Sequence, residues 1–390
     1  MKDMKDPAPM NRPFRAARGK LTRGEFLSRP NRFRVVCEAE NGRVEAYLPN
    51  PGRLWELFLP GAILLLEKSE KISDRKTDHT VVAVQTDKGP VMLHTHRTND
   101  AAEWLIANGL IPGWETAKMI RREVACEGSR FDFLLEGPKG PFPVEVKSCT
   151  LFGERMAMFP DAPSERASRH IRHLAGIGGD GQKPGLLIIA HSRHPWYFLP
   201  DFHTDLEFAK AFLSARESLD IKAAGIEWDS DLNLQPAVSM LDIPWPVLEA
   251  NASDRGGYLL ILKLEEDLSL SVGSLGEVDF RSGYYCYVGS AMKNLSARMS
   301  RHLRKRRNFH WHIDYLRDRS SVLACLPIRS AVTLECEMAG AVMRIADGSV
   351  PCFGSSDCAC PSHLFRFASN PLKTPGFIEM LLYFRIDRLV

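Results

Sequence analysis

The 390-residue sequence predicts a multidomain fold: a small N-terminal β-barrel, a central α/β domain and a C-terminal α+β domain. Three observations carry that prediction. The chain is longer than one hydrophobic core usually organises. From Gly24 to about Arg97, short runs rich in Val, Leu, Tyr and Phe alternate with turn signals such as Glu40-Asn-Gly42, Pro51-Gly52 and Lys88-Gly-Pro90, the pattern of a small barrel. Beyond it, strand and helix patterns intermix, and a proline-rich stretch holding Pro236, Pro244 and Pro246 separates two such mixed regions. The boundaries read as a disordered basic arm over 1–13, the barrel over 14–97, the α/β domain over 98–235, a linker over 236–253, the third domain over 254–372 and a tail over 373–390.

Composition narrows the function classes. With 44% hydrophobic and 25% charged residues the chain reads as globular, and no apolar run approaches membrane-spanning length. The N-terminus lacks the apolar core of a signal peptide, so the expected location is the cytoplasm and no membrane partner is expected. Net charge is only +3, yet residues 1–36 hold ten Lys or Arg against three Asp or Glu. That local surplus favours phosphates or acidic surfaces. Nine cysteines in such a chain argue for thiols rather than disulfides, and six of them follow residue 285.

In the central region, Asn99 to Asn108 has helical spacing, with Ala102, Leu105 and Ile106 on one face. Arg130-Phe-Asp-Phe-Leu-Leu-Glu136 and Pro143-Val-Glu-Val-Lys147 then read as two strands joined by the Gly137–Pro141 turn. Alternation puts Asp132 on one face of its strand and makes Glu145 and Lys147 share a face of theirs. Two carboxylates and a lysine that converge suit metal-assisted attack on a phosphodiester. Hard oxygens hold Mg²⁺ or Mn²⁺, and the ammonium positions or activates the attacking water. Glu103 and Glu123 are candidates for a further acidic ligand. Ser164 can cap a helix from about Glu165 to Ala175 that sets Arg166 and His170 four apart on one face, where they can hold a phosphate or orient water. Leu186 to His191 reads as a buried strand and Asp205 to Leu219 as an amphipathic helix.

Leu48-Pro-Asn-Pro-Gly-Arg53, Arg75-Lys-Thr77, Ser129-Arg-Phe-Asp-Phe133, Val144-Glu-Val-Lys-Ser148, Phe159-Pro-Asp-Ala162 and the helix around His170 closely resemble, in order, the bacterial and archaeal sugar fermentation stimulation protein family. The resemblance runs from about residue 14 to about 235. It implies an OB-like barrel followed by an α/β domain of the PD-(D/E)XK nuclease fold, with DNA binding as the associated activity. Asp132, Glu145 and Lys147 then become the catalytic set, with Asp132 and Glu145 holding the metal. OB barrels bind strands through basic and aromatic side chains. Arg32, Arg53, Arg75 and Lys76 are the barrel's candidates, with Tyr47 and Trp55 as stacking groups or barrel interior, and Arg130 adds a cation beside Asp132.

In the C-terminal region, Tyr258-Leu-Leu-Ile-Leu262 and Gly283-Tyr-Tyr-Cys-Tyr-Val-Gly289 read as strands, and a helix beginning near Ser290 continues through Arg298, Arg301, His302, Arg304 and Lys305. This region, about 254–370, resembles the GIY-YIG nuclease domain. Gly283-Tyr-Tyr285 stands for the first triplet and Tyr287-Val-Gly289 for the second, with one residue between Tyr285 and Tyr287 where established members have a longer gap. The resemblance implies a tyrosine (Tyr285, Tyr287) that acts as or positions a base, Arg298 against the phosphate with His302 in reach of it, and one metal-holding glutamate, Glu335 or Glu337. Arg298, Arg301, Arg304 and Lys305 would grip a nucleic-acid backbone. Cys352, Cys358, Cys360 and His363, with Cys336 as a further member, are candidates for a zinc set. Their spacing lacks the paired C-x2-C or H-x3-H knuckles of a short zinc loop, which favours a buried thiol cluster and makes zinc the less expected occupant.

The reading is a Mg²⁺- or Mn²⁺-dependent endonuclease acting on nucleic acid, DNA in preference to RNA, whose GIY-YIG-like domain mainly binds. The alternative is a non-catalytic DNA-binding regulator of sugar-metabolism genes that keeps nuclease scaffolds for phosphate grip.

Overall fold

The computed structural model describes residues 13–68, 77–126, 128–177, 181–304 and 309–390. The chain divides into two units, Met1–Leu199 with Ala211–Ile243 and Pro200–Lys210 with Pro244–Val390. Most of the basic arm, together with Arg75, Lys76 and Lys305, lies outside the described residues.

The first unit opens with β1 (Leu21–Asn31), β2 (Arg34–Ala39), β3 (Gly42–Tyr47), β4 (Ile63–Lys68), β5 (His79–Thr86) and β6 (Gly89–Met92). They pair in the order β3-β2-β1-β4-β5-β6, and a parallel contact from β3 to β5 closes the ring. Closure leaves no free edge between β3 and β5. Val35, Cys37, Ala46, Leu64, Leu66 and Val81 fill the interior. Their alternation with outward polar residues is why this stretch forms strands and not helices.

Next in the chain come α1 (Thr95–Ala107), β7 (Lys118–Cys126), β8 (Ser129–Gly137), β9 (Gly140–Cys149), β10 (Leu151–Phe152), β11 (Met156–Phe159), α2 (Glu165–Gly176), β12 (Gly185–Ala190), β13 (Tyr197–Pro200), α3 (Leu206–Ser214, of which the residues up to Lys210 fall in the second unit), β14 (Asp220–Gly225) and β15 (Ser239–Met240). The main sheet runs β15-β14-β12-β9-β8-β7, with β9, β12 and β14 parallel and β7 to β9 antiparallel. β12 is buried along its whole length, as an unbroken apolar strand between neighbours should be. Ala101, Ala102, Leu105 and Ile106 of α1 share one core with Phe133, Val144, Val146 and Ile189 of the sheet. Glu67 of β4 and Arg97 of α1 form a buried ion pair, and Glu67 also accepts the backbone N–H groups of Arg18 and Gly19. The barrel is thereby tied to the helix that precedes the sheet.

The second unit contains α4 (Trp245–Asn251), β16 (Gly256–Leu264), β17 (Leu268–Ser271), β18 (Glu277–Phe280), β19 (Gly283–Ala291), α5 (Leu295–Leu303), α6 (His312–Asp318), β20 (Ser321–Arg329), α7 (Glu335–Ile345), β21 (Gly348–Ser349), β22 (Leu364–Phe367) and α8 (Pro375–Arg385). Its sheet runs β20-β16-β19-β22-β21.

Three expectations change here. The stretch expected as a linker carries β15, which pairs with β14, and α4, which Pro244 and Pro246 begin and do not break. The expected tail is a helix: Phe377, Ile378, Leu381 and Phe384 of α8 are buried. Buried Arg385 binds Asp201 at 3.2 and 3.0 Å, and His203 donates Nε2–H to the Arg385 carbonyl at 2.7 Å, so Pro200–Lys210 belongs to this unit. The basic helix is also shorter than its composition suggests. α5 ends at Leu303, and Arg304 already has extended backbone.

Candidate functional site

The β8–β9 ladder stops at Phe133 and Val144, and there the two strands separate. Asp132 fills the opening: Oδ2 accepts the Val146 N–H at 2.8 Å and Oδ1 accepts Nδ2–H of Asn99 at 2.7 Å. Burial first, and then the charge of Glu145, raise the Asp132 carboxyl above its ordinary value. Glu145 is 4% exposed. Its Oε1 accepts from Lys147 Nζ and lies 2.8 Å from His170 Nδ1, while Oε2 is buried with no hydrogen-bond partner. A buried carboxylate oxygen left unpaired beside a second, half-buried carboxylate fits a hard divalent cation better than it fits a neutral core. Ser164 caps α2 by accepting from Ala167 N at 3.1 Å, which places His170 on Glu145 and Arg166 Nε 3.5 Å from His170 Nε2.

The α1 residue that reaches Asp132 is Asn99, which sequence reasoning did not single out. Glu103 pairs with Arg122 at 3.1 Å. Glu123 takes a left-handed backbone (φ 54°) and pairs with Arg130, so that cation is neutralised on an exposed surface. Buried His191 also went unnoticed. Trp228 donates to its Nδ1 at 3.2 Å, leaving the proton on Nε2, which faces Ser148 at 3.1 Å and Thr98 at 3.2 Å. Burial pushes its pKa down to about 3, so it is a neutral strut behind β9.

In the barrel, Arg53 stacks on Trp55 at 5.0 Å and Arg32 is exposed, while Tyr47 and Trp55 are half-buried and outside the barrel core. Two of the co-linear motifs meet here. The Leu54 N–H that follows Arg53 donates to Asp161 Oδ2 at 2.6 Å, which supports the left-handed backbone of Leu54 (φ 54°).

The second unit has a cleft of about 380 Å³ lined by Tyr258, Tyr287, Ser290, Arg298, Trp311 and Glu335, among others. Tyr258 is opposite Gly289 in the β16–β19 ladder. A Cβ on Gly289 would come within 2.5 Å of the Tyr258 ring, so the glycine makes room for that tyrosine. Gly256-Gly257-Tyr258 on β16 lies one strand across from Tyr287-Val-Gly289, a placement that suits the first triplet better than Gly283-Tyr-Tyr285 on the same strand as Tyr287. Tyr285 is displaced from its expected role: its hydroxyl donates to the Arg281 carbonyl at 2.7 Å and its ring packs on Phe280. His302 is buried and bonds the Tyr258 hydroxyl at 2.8 Å, which places it behind that tyrosine and away from solvent.

Arg298 lies over Trp311 at 4.3 Å. Arg301 is held by Asp314 through two bonds of 2.8 and 2.7 Å, which removes it from the set of gripping cations; Asp314 also accepts the His310 and Trp311 N–H groups. Burial alone would raise the Asp314 carboxyl, but Arg301 and those N–H groups hold it at about 2. Glu335 lines the cleft and Glu337 is exposed. Glu335 accepts from Ser290 at 2.6 Å and faces His363 Nδ1 at 3.6 Å. Against the effect of burial, His363 first and then Ser290 keep its carboxyl below the ordinary value. The cysteine set also differs. Cys336 of α7, not Cys352, gathers with Cys358, Cys360 and His363.

These features define a protein that joins an OB-like barrel and a carboxylate-bearing α/β domain to a GIY-YIG-like domain. Residues 27–93 match the family model of the SfsA N-terminal OB domain, and residues 96–231 that of the sugar fermentation stimulation protein RE domain. The chain belongs to the sugar fermentation stimulation protein family. Sugar fermentation stimulation protein homologs from Methanothermobacter thermautotrophicus and Moorella thermoacetica are 35% and 36% identical to it, over 50% and 53% of this chain and 81% and 87% of theirs. The solved structure of Pyrococcus furiosus SfsA in complex with Ca²⁺ aligns with a TM-score of 0.53 at 28% identity, covering 57% of this chain and 96% of that one. Residues 257–381 match the domain of unknown function DUF123. No helix among the described residues is long and apolar enough to cross a membrane.

Proposed function

We propose that the chain binds nucleic acid, DNA in preference to RNA, and hydrolyses phosphodiester bonds at a PD-(D/E)XK centre made by Asp132, Glu145 and Lys147. The observation that carries this reading is the unpaired, buried Glu145 Oε2 beside the raised Asp132 carboxyl. Such a pair is costly in an apo core and gains its partner when Mg²⁺ or Mn²⁺ binds. The related Pyrococcus furiosus protein was solved with Ca²⁺, another cation that prefers oxygen ligands, which supports the same assignment here.

Asp132 and Glu145 would hold the metal, which when bound supplies Lewis-acid charge stabilisation for the transferring phosphoryl group. Within the chain, Val146 N–H and Asn99 fix the Asp132 carboxylate, and Lys147 and His170 fix Glu145. Lys147 Nζ, which pairs with Glu145 Oε1 at the edge of the site, would donate to the attacking water or to a phosphate oxygen. Arg166, next to His170, offers a cation to the same backbone. Arg53 stacked on Trp55, with Arg32, gives the barrel a surface on which a strand can lie.

The GIY-YIG-like domain grips more than it cuts in this reading. Burial, followed by neighbouring charges, raises the Tyr258 and Tyr287 hydroxyls, so they serve as donors and not as bases near neutral pH. Cleavage of labelled single- and double-stranded DNA and RNA by the full chain with Mg²⁺ or Mn²⁺ tests the proposal. Cleavage should require the metal and vanish in Glu145→Ala, with DNA binding retained. A Glu145→Ala protein that cuts like its parent would refute it.

A further inference from the structure

Four donor atoms, one each from Cys336, Cys358, Cys360 and His363, lie within 4.8 Å of one another. They come from two separate pieces of the second unit. Cys336 sits in the first turn of α7, and the other three sit in the segment between β21 and β22. That segment is pinned at His363, whose backbone N–H donates to Phe353 O at 2.8 Å and whose carbonyl accepts from Val288 at 2.9 Å. The buried imidazole has Nε2 3.5 Å from Cys358 Sγ, and its Nδ1 faces Glu335 Oε1 at 3.6 Å without a hydrogen bond. With the proton on Nδ1, facing the carboxylate, the Nε2 lone pair is directed at the thiols, and a small closing of the Glu335 contact would give the carboxylate–histidine pairing common at metal-ligating histidines.

The dimensions select the occupant. Thiolates about 2.3 Å from a tetrahedral zinc stand roughly 3.8 Å apart, so the observed cluster needs only a small contraction. An iron–sulfur cluster has several irons and bridging sulfides between its ligands and does not fit among donors this close. Soft sulfur ligands disfavour Mg²⁺ and Ca²⁺. A disulfide would engage two of the three sulfurs and leave the third beside an oriented histidine without a role. Exposed Cys352, with left-handed backbone at φ 57°, takes no part.

We infer that Cys336, Cys358, Cys360 and His363 bind one Zn²⁺ in a closed Cys₃His site. Binding releases three thiol protons, keeps the imidazole neutral and leaves the centre with a net charge of −1. The ion clamps the start of α7 to the loop that carries Gly354, Ser356 and Asp357 of the cleft, and it holds Glu335 in place through His363. The site is structural, and it stands whether or not either unit cleaves a phosphodiester.

Metal analysis of the full chain, purified under reducing conditions, tests it, with Cys358→Ser/Cys360→Ser and Cys352→Ser as variants. The parent and Cys352→Ser should each carry one zinc per chain, and the double variant should carry none. Replacing zinc by Co²⁺ in the parent gives a readout that needs no variant: intense visible bands of tetrahedral cobalt together with thiolate-to-cobalt charge transfer. A parent that holds no zinc after reconstitution, a double variant with undiminished zinc, or cobalt bound without thiolate charge transfer would each overturn the inference.

Discussion

The two nuclease-like regions solve opposite electrostatic problems. Around Glu145 two carboxylates converge, one cation and one imidazole attend them, and a buried oxygen is left unpaired. Around Glu335 the one partly buried carboxylate of the cleft already accepts from Ser290 and faces His363, and beside it the cleft is lined by Arg298, two tyrosines, Trp311 and the exposed Asp357. The first arrangement asks for a cation. The second presents donors to an anion. The difference teaches that how the carboxylates are already paired, more than the presence of a nuclease-like fold, is what places the proposed metal-dependent chemistry in the first region.

The largest effect that separates the regions is expected at Glu145. Glu145→Ala should lower Mg²⁺-dependent cleavage by about three orders of magnitude, and Glu335→Ala should leave most of it. Comparable losses in both variants would erase the contrast.

Two arginines on α5 sharpen the account of the second region. Arg301→Ala leaves buried Asp314 with its backbone N–H donors but without its cation, which should cost about 2–3 kcal/mol by urea unfolding while hardly changing DNA affinity. Arg298→Ala should do the reverse, reducing the slope of log affinity against log salt by about one. Measured together, they show whether grip and stability are divided as the ion pairs indicate. Gly289→Ala should cost about 1–3 kcal/mol, because its Cβ would displace the Tyr258 ring.

A smaller effect lies in the pH dependence of metal binding. The Asp132 carboxyl is raised by burial and by Glu145, so its protonated form persists to higher pH than the ordinary 3.8. In metal-free protein this group favours the folded state below its unfolded pKa, and that contribution is lost as pH rises through the folded one. Metal competes with the same proton. Mn²⁺ affinity should therefore weaken on acidification before an ordinary aspartate would titrate, and a titration at several pH values reads it.

The hairpin that carries Asp132, Glu145 and Lys147 was legible because strand period and a short turn fix those side chains locally. What escaped depends on contacts between remote segments. Gly256-Gly257-Tyr258 carried the first-triplet signal at the longer spacing, but adjacent tyrosines on one strand drew the assignment to Tyr285. Asn99 reaches Asp132 only because α1 packs on the sheet. Cys336 joins its cluster from a helix, where spacing rules for a single loop do not apply. The run from Pro200 to Lys210, whose end falls in the stretch read as an amphipathic helix of the α/β domain, belongs to the second unit, and only the burial of Arg385 against Asp201 shows its place. A fragment beginning near residue 254 would lack that partner, so comparisons between the regions belong in the full chain.

Calorimetric titration of Mn²⁺ into the zinc-loaded full chain, alongside Asp132→Asn, Glu145→Gln and Glu335→Gln, tests the central claim most directly. The account predicts one Mn²⁺ site per chain in the parent and in Glu335→Gln, and its loss in both Asp132→Asn and Glu145→Gln. Unchanged Mn²⁺ binding in either of those two variants would contradict it.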